Sequence, residues 1–312
     1  MNSIKKQSQL IDELKQISTE SQNQDTLDID LLDAKGILEK INDEDQKVAG
    51  VVNEIIPQIA KAVDEIVNAF ANGGRLVYIG AGTSGRLGII DAVECPPTFS
   101  VSSKQVVGII AGGNKAIHKS VEGAEDNESF AVDDLQKAEL SEKDVLVGIA
   151  ASGRTPYVIS AMKYGKSIGA TVVGVSCSYN EKFDQANDIN LCAVVGAEVL
   201  TGSTRMKSGT AQKLILNMLS TASMIRSGKS YRNLMIDVNA SNEKLYARAV
   251  RIVMQATDCD YDCAKLALEQ SENNAKLATL MILTGLNFEQ SKDCLAKNSG
   301  FLRKAVEQNK HE

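Results

Sequence analysis

The feature that most constrains this chain is a buried strand followed at once by a glycine-rich turn and a helix. Residues 75–97 read RLVYIGAGTSGRLGIIDAVECPP, with an apolar run before the turn and a helical pattern after it. A strand that leads directly into a helix is typical of parallel sheets. Gly80, Gly82 and Gly85 also match the G-x-G-x-x-G pattern of dinucleotide-binding folds, so that function must be tested first.

The alternation of strand and helix continues to about residue 227. Apolar runs predict five strands, at Leu76–Ile79, Gln105–Ile110, Val145–Ile149, Thr171–Ser176 and Ile189–Val195. Helical spacing predicts helices at Ser84–Val93, Lys115–Leu140, Pro156–Ile168 and Ser203–Ser227. We therefore predict an α/β fold, with a parallel sheet covered by helices on both faces.

Helical segments flank this alternating region on both sides. Residues 1–45 are polar and acidic, with short apolar periodicity that predicts a helical arm. Apolar residues recur at helical spacing from Asp45 to Ala71, where Pro57 should kink or divide the helix. After about Asp237 the strand signals stop and five helices are predicted. We predict three parts: an N-terminal helical arm (1–45), a central α/β domain (46–240) and a small all-helical C-terminal domain (241–312).

Composition and charge argue against several classes of function. The net charge of −6 opposes general attraction to nucleic acid, and 4% aromatic residues without Trp leave little for base stacking. No apolar run approaches the roughly 20 residues of a membrane helix, and the N-terminus lacks a secretory signal pattern. Cys259 and Cys263 share a helix face but lack the second ligand pair of a zinc site. We expect a cytoplasmic protein without nucleic-acid, membrane or metal partners.

Hydroxyl residues near the glycine turn favour a phosphate over a dinucleotide. A dinucleotide site needs an acidic residue about 20 positions later at a strand end, but here the helix runs into Cys95-Pro96-Pro97. Thr83 and Ser84 can donate hydrogen bonds to a phosphate at the helix N-terminus. Ser152 and Thr155 occupy a second turn of this kind, AASGRTP. Either turn alone is equally well explained as a helix cap, whereas the pair favours one phosphorylated ligand.

Several blocks of the sequence resemble one known family. The two turns are similar to those of SIS (sugar isomerase) domains, which bind phosphosugars. More closely, the chain resembles the bacterial N-acetylmuramic acid 6-phosphate etherases in INDEDQKVA, GAGTSGRLGIIDAVECPPTF, VEGAEDN, GIAASGRTPYVI, VGAEVLTGSTRMKSGTAQK and NLMIDVNASNEKL. These blocks run from near residue 41 to about residue 245. The resemblance implies a SIS-type parallel sheet sandwiched by helices, a phosphosugar substrate, no cofactor, and a homodimer whose subunits together enclose the site.

The resemblance also implies an activity in N-acetylmuramate catabolism and peptidoglycan recycling. The family cleaves the D-lactyl ether at C3 of a 6-phosphosugar, giving N-acetylglucosamine 6-phosphate and D-lactate. An unactivated ether resists direct hydrolysis, but in the ring-opened aldehyde the C2 proton lies beside a carbonyl and becomes removable. Lactate then leaves from C3, and water adds to the unsaturated aldehyde. This lyase-type route needs two proton-transfer groups and no metal.

Two glutamates match the proton-transfer groups of that family. Glu94 lies just before Cys95-Pro96-Pro97, and the resemblance assigns it to protonating the departing lactate and activating the added water. Glu125, in VEGAEDN, resembles the second acidic residue, and we assign it to removal of the C2 proton. Which carboxylate does which stays open. Without the resemblance, each would be read as a solvated or salt-bridged residue, because glutamate is mostly exposed.

Four other polar residues have open roles. Glu198 resembles the glutamate that SIS isomerases place beside the sugar, where it would bind substrate, assist ring opening or replace Glu125 as the base. Lys207 or Arg205 would offset the charge of the phosphate or the lactate carboxylate, unless both are helix-surface residues. His118 is the only internal histidine, and acid–base work is common for histidine, but it lies outside the matched blocks.

Three other functions fit parts of the pattern. A non-catalytic phosphosugar-binding regulator is one alternative, because the animal glucokinase regulatory protein resembles this family; the single-SIS length and both glutamates favour the enzyme. A sugar-phosphate isomerase that uses Glu198 fits the domain but not the blocks around Glu94 and Glu125. A dehydrogenase fits least, because the acidic residue for the ribose is missing.

Overall fold

Two compact units make up the part of the chain that the computed structural model describes, residues 17–238 and 243–309. The first lies within Met1–Ala92 and Lys104–Leu219, and the second within Val93–Ser103 and Ser220–Glu312. This division differs from the predicted domains, because residues 93–103 and 220–238 group with the C-terminal helices. The predicted boundary between residues 240 and 241 lies outside the described residues, as do residues 1–16 of the predicted arm.

The first unit contains a five-stranded sheet and the helices that surround it. The strands are β1 (Leu76–Gly80), β2 (Val106–Ile110), β3 (Val145–Ile149), β4 (Thr171–Ser176) and β5 (Ile189–Cys192). The helices are α1 (Ala34–Glu54), α2 (Ile56–Ala71), α3 (Gly82–Phe99), α4 (Asn114–His118), α5 (Glu128–Lys137), α6 (Pro156–Ser167), α7 (Glu181–Gln185) and α8 (Lys207–Arg226), of which α3 and α8 end in the second unit.

The sheet is entirely parallel, in the order β2-β1-β3-β4-β5. Every residue of β1 and β3 is buried. On one face Val77 and Ile79 belong to a core shared with Leu135 of α5 and Met162 of α6. On the other face the Tyr78 hydroxyl donates a 2.9 Å hydrogen bond to Asp91 of α3. The α/β fold and the sheet covered on both sides are therefore confirmed.

Two prolines inside α3 do not end the helix where the sequence predicted. The predicted helix stopped at Val93, whereas α3 continues through Pro96 and Pro97 to Phe99. Proline holds φ near a helical value, so the helix can continue even though two N–H donors are lost. The helix ends at Ser100, whose φ of 50° is left-handed and whose N–H donates to the Pro96 carbonyl at 2.9 Å.

Other predicted elements are shorter or divided. The predicted helix Lys115–Leu140 is instead α4, a one-turn 3-10 helix at Ala124–Asp126, and α5, because Gly123 turns the backbone with a φ of 71° and Asn127 caps α5. By contrast, the predicted division at Pro57 is confirmed: α1 ends at Glu54 and Pro57 lies in the first turn of α2. Helix α7 was not predicted; at five residues it is too short for a periodic signal.

The second unit is built from helices around its own apolar core. Within the described residues, five helices follow α8: α9 (Glu243–Thr257), α10 (Tyr261–Gln270), α11 (Ala275–Thr284), α12 (Phe288–Lys297) and α13 (Leu302–Asn309). The predicted all-helical character of this region is confirmed within the described residues. None of the described helices is long and apolar enough to cross a membrane.

Candidate active site

The two hydroxyl-rich turns follow neighbouring strands at one edge of the sheet. The first follows β1 and the second follows β3, and Gly80 and Ile149 at their ends are direct partners in the parallel register. From β1 the chain crosses to β2 on one side, whereas β3 leads to β4 on the other side. Such a reversal of strand order leaves a crevice outside the carboxyl ends of the strands, where ligands bind in open α/β sheets. The two turns therefore follow neighbouring parallel strands at the same edge of the sheet; that they bind one phosphate together stays a prediction.

The glycine pattern of the first turn serves the turn itself. A Cβ on Gly85 would lie 2.7 Å from the Gly80 carbonyl oxygen and 2.7 Å from the Ile110 side chain. Gly82 has a φ of 54°, a left-handed conformation that glycine adopts without strain. The glycines are therefore explained by the tight passage from β1 into α3, without a dinucleotide.

Ser84 and Thr83 lie beside the first turns of α8. The Ser84 hydroxyl is buried and donates a 2.9 Å hydrogen bond to Oε1 of Gln212. The methyl group of Thr83 lies 3.7 Å from the position that a Cβ on Gly209 would occupy. Gln212 was not singled out from the sequence. Its Nε2 is buried without a hydrogen-bond partner among the described residues, so the turn has an unused donor next to it.

In the second turn, the hydroxyls are not spent on capping α6. Thr155 is the residue before the helix, yet its side chain makes no capping hydrogen bond, and Pro156 occupies the first helical position. Ser152 accepts only a weak 3.3 Å hydrogen bond from the Arg154 N–H. Gly153 has a φ of 65° and brings the backbone close to Ser178. The explanation by ordinary side-chain caps therefore fails for Thr155.

The two predicted proton-transfer glutamates are both exposed, and neither is paired with another described residue. Glu94 lies in the last third of α3 and lines a cavity of about 500 Å³ in the second unit, together with Arg248. Glu125 lies in the 3-10 helix Ala124–Asp126 of the first unit. Among the described residues, neither carboxylate has a hydrogen bond or ion pair. Both side chains are therefore available to a ligand.

Glu198 is in a different environment, because its carboxylate is completely buried at the start of α8. One oxygen accepts the N–H of Lys207 at 2.9 Å, and the other accepts the N–H and the hydroxyl of Ser208 at 3.0 and 2.8 Å. An anion at a helix N-terminus is favoured by the free N–H groups and by the helix dipole. The predicted start of this helix was Ser203. The hydrogen bonds to the Glu198 carboxylate explain why α8 instead begins at Lys207.

Lys207 is paired and buried as well. Its ammonium group lies 2.5 Å from Glu44 of α1, which also binds Lys47 at 2.6 Å. Burial favours the protonated form of Glu44, but the hydrogen bonds from Lys207 and Lys47 outweigh it and lower its pKa to about 2. The charge of Lys207 is therefore already compensated. The sequence analysis did not single out Glu44. It lies four residues before the apolar Val48 and therefore on the same face of α1, which was a signal for burial.

The remaining candidates are on the surface. His118 ends the short helix α4 and is exposed, and Arg205 is exposed just before α8. Cys259 and Cys263 are free thiols that form no disulfide with any described residue. Within residues 17–238 and 243–309, no group of three or more His, Cys, Asp or Glu side chains is arranged to hold a metal ion.

Comparisons with protein families match along most of the chain. The family described as the N-terminal SIS domain of glucokinase regulatory protein matches residues 58–166, and the SIS domain matches residues 119–222. The C-terminal lid domain of glucokinase regulatory protein matches residues 232–282. The SIS-type fold predicted from the two turns is therefore confirmed.

Two curated relatives match over almost their whole length. The N-acetylmuramic acid 6-phosphate etherase of Colwellia psychrerythraea is 71% identical over 302 residues, which cover 97% of this chain and 98% of the relative. The N-acetylmuramic acid 6-phosphate etherase 2 of Vibrio cholerae is 58% identical and covers 96% of this chain and 97% of the relative.

Solved structures with a similar fold are more distant. A phosphoheptose isomerase from Francisella tularensis has a TM-score of 0.44 and 18% identity, covering 60% of this chain and 98% of that chain. The Vibrio vulnificus NanR protein, complexed with ManNAc-6P, has a TM-score of 0.45 and 16% identity, covering 64% of this chain and 66% of that chain.

Proposed function

This chain belongs to the N-acetylmuramic acid 6-phosphate etherase family, and from that premise we propose that it is a carbon–oxygen lyase that releases D-lactate from N-acetylmuramic acid 6-phosphate in the cytoplasm. The structural observation that carries the proposal is that Glu94 and Glu125 have exposed carboxylates without a partner among the described residues. Proton transfer requires groups that the fold has left available to the substrate.

The reaction proceeds by elimination followed by addition. In the open-chain aldehyde, Glu125 removes the C2 proton, and the electron pair is held by the neighbouring carbonyl. Glu94 donates a proton to the ether oxygen as the bond from C3 to that oxygen breaks, which gives D-lactate and an unsaturated aldehyde. Glu94 then takes a proton from water as the water oxygen bonds to C3, and C2 regains a proton. The sum is ether plus water to alcohol plus lactate, and these steps need no metal.

The phosphate binds at the crevice between the turns after β1 and β3. The Thr155 hydroxyl makes no capping hydrogen bond and is available to an anion, which the helix dipole of α6 favours at this end. Ser84 donates its only hydrogen to Gln212 in the present arrangement. Turning the Gln212 amide would let its unused Nε2 donate to Ser84, so that the Ser84 hydroxyl could donate to the phosphate.

The etherase family resemblance implies a homodimer whose subunits together enclose the site. We therefore propose that Glu94 and the phosphate-binding turns serve one substrate from different subunits of such a dimer.

Subunit mixing tests this arrangement. Thr155→Val and Glu94→Gln should each abolish most activity alone. If the two residues serve one site from different subunits, mixed dimers contain one intact site, and an equimolar mixture should recover about a quarter of full activity. No recovery, with subunit exchange verified by mass, would mean that both residues serve the site from the same subunit.

The activity itself is tested in deuterated water. The purified protein should release D-lactate from N-acetylmuramic acid 6-phosphate, and the N-acetylglucosamine 6-phosphate formed should carry deuterium at C2. Lactate without deuterium at C2 would contradict the elimination route.

A phosphosugar-binding regulator is the second candidate, and a specific observation favours it: two of the matching families are domains of glucokinase regulatory protein. The same incubation separates the two. A regulator binds the sugar phosphate and leaves the ether intact, so it releases no lactate.

A further inference from the structure

The cavity that contains Glu94 lies wholly in the second unit. It measures about 500 Å³, and two charged groups, two hydroxyl residues and an apolar surface line it; the charged groups are Glu94 and Arg248, and the apolar surface includes Pro96, Pro97, Met235 and Leu245. Arg248 lies in the second turn of α9, and the prolines lie in the last turn of α3. No role was assigned to Arg248 from the sequence.

The cavity is lined by one acidic and one basic side chain. Glu94 and Arg248 have opposite charges and line the same space, yet no ion pair joins them and, among the described residues, no other group pairs with either. Arg248 therefore retains its guanidinium donors, which are suited to a carboxylate in a two-pronged hydrogen bond. The cavity fits a ligand that is itself anionic and that also presents an atom to Glu94.

We propose that this cavity holds the lactyl group of the substrate, with Arg248 binding its carboxylate; this inference rests on the proposed function. The lactyl group has three recognisable parts: a carboxylate, a methyl group and the ether oxygen that must receive a proton. Arg248 matches the first, the apolar wall formed by the prolines, Met235 and Leu245 matches the second, and Glu94 matches the third.

Recognition of this kind determines specificity. A phosphosugar without the lactyl group leaves Arg248 without a carboxylate, so it gains nothing from the cavity. Hydrogen bonds to charged groups are among the stronger ones in proteins, and the loss of one weakens binding by about ten- to a hundredfold. Arg248 therefore distinguishes the substrate, N-acetylmuramic acid 6-phosphate, from the product, N-acetylglucosamine 6-phosphate. The two sugars differ only by the lactyl group.

Arg251 provides a matched control. It has the same side chain on the same helix three residues later, is exposed, and does not line the cavity. Arg248 is exposed too, so neither substitution to glutamine removes a core contact. Comparing the two variants therefore separates the effect of losing one positive charge on α9 from the effect of losing the guanidinium group in the cavity.

The test measures binding in a Glu94→Gln background, where turnover is suppressed. Dissociation constants for N-acetylmuramic acid 6-phosphate and N-acetylglucosamine 6-phosphate are compared by calorimetry with Arg248→Gln or Arg251→Gln added. Arg248→Gln should raise the dissociation constant of N-acetylmuramic acid 6-phosphate by about ten- to a hundredfold and change that of N-acetylglucosamine 6-phosphate less than about twofold. Arg251→Gln should change neither.

The assignment would be overturned if Arg248→Gln weakened the binding of both sugars equally, or if it weakened the binding of neither. Lactate release by the unaltered protein is measured alongside. Its absence would overturn the proposed function, while the ratio of the two dissociation constants would still decide whether Arg248 reads the lactyl group. The two failures are therefore distinguishable.

Discussion

Glu44 and Glu198 lie buried beside the start of α8 with hydrogen-bonded carboxylates, whereas Glu94 and Glu125 are exposed carboxylates without partners among the described residues. All four belong to sequence blocks that resemble the same family. We infer from this difference that the first two carboxylates serve the fold, and we propose that the last two serve the reaction. A buried carboxylate that already accepts several hydrogen bonds holds elements in place, while an unpaired one is free to exchange protons with a substrate.

The largest expected effect is on turnover. Glu94→Gln and Glu125→Gln should each lower kcat by about 10²- to 10⁴-fold, because each removes one proton-transfer group. Neither should change the midpoint of thermal unfolding, since both side chains are exposed and have no partner among the described residues. Steady-state kinetics and calorimetry measure the two quantities.

Glu122→Gln is the matched control for Glu125, being an exposed glutamate in the same block. It should retain nearly full activity. Equal losses in both variants would indicate a general effect of charge near the site, and would contradict a proton-transfer role for Glu125.

The next largest effect is on stability. Glu44→Gln should lower the free energy of unfolding by about 3 to 5 kcal/mol, because it leaves the buried Lys207 ammonium without its counter-charge. The pKa of Glu44 is lowered from 4.5 to about 2, so its stabilisation is present above pH 4.5 and is lost as the pH falls through about 2. Chemical unfolding at several pH values should show the difference between wild type and variant narrowing towards acid.

Glu198→Gln should have a smaller effect, about 2 kcal/mol of unfolding free energy. It replaces a charged acceptor at the N-terminus of α8 by a neutral amide whose NH₂ faces a donor. Kinetic constants of the folded variant should stay close to those of the wild type. Unchanged stability together with a large loss of kcat would instead assign Glu198 to the reaction.

The smallest effect is expected when both members of the buried ion pair are replaced. Glu44→Leu combined with Lys207→Met should lower the free energy of unfolding less than Glu44→Gln alone does. Replacing a buried ion pair with apolar groups often leaves the stability nearly unchanged. A double-mutant cycle measures the coupling. If the double variant binds phosphosugar much more weakly than the wild type, Lys207 would regain a role in charge recognition.

Much of the fold was predictable because local patterns determine it. The apolar runs placed all five strands, and β3 and β4 agree with their predicted bounds, Val145–Ile149 and Thr171–Ser176. The end of α3 was missed, because two prolines suggest a stop while their fixed φ also permits a last helical turn.

Within the candidate site, local sequence patterns predicted the two hydroxyl turns but not the contacts between distant residues. Both hydroxyl turns follow from the order of strands and helices. The Lys207–Glu44 pair joins residues 163 positions apart, and the cavity brings Arg248 together with Glu94. No local periodicity reports such contacts, because tertiary packing alone creates them.

The most direct test of the account follows exchange of the substrate C2 proton with deuterated water in the two active-site variants. Glu94→Gln should still exchange the C2 proton of N-acetylmuramic acid 6-phosphate while releasing almost no lactate, since Glu125 remains to act as the base. Glu125→Gln should show neither exchange nor release. Loss of exchange in Glu94→Gln with exchange retained in Glu125→Gln would contradict the assigned roles.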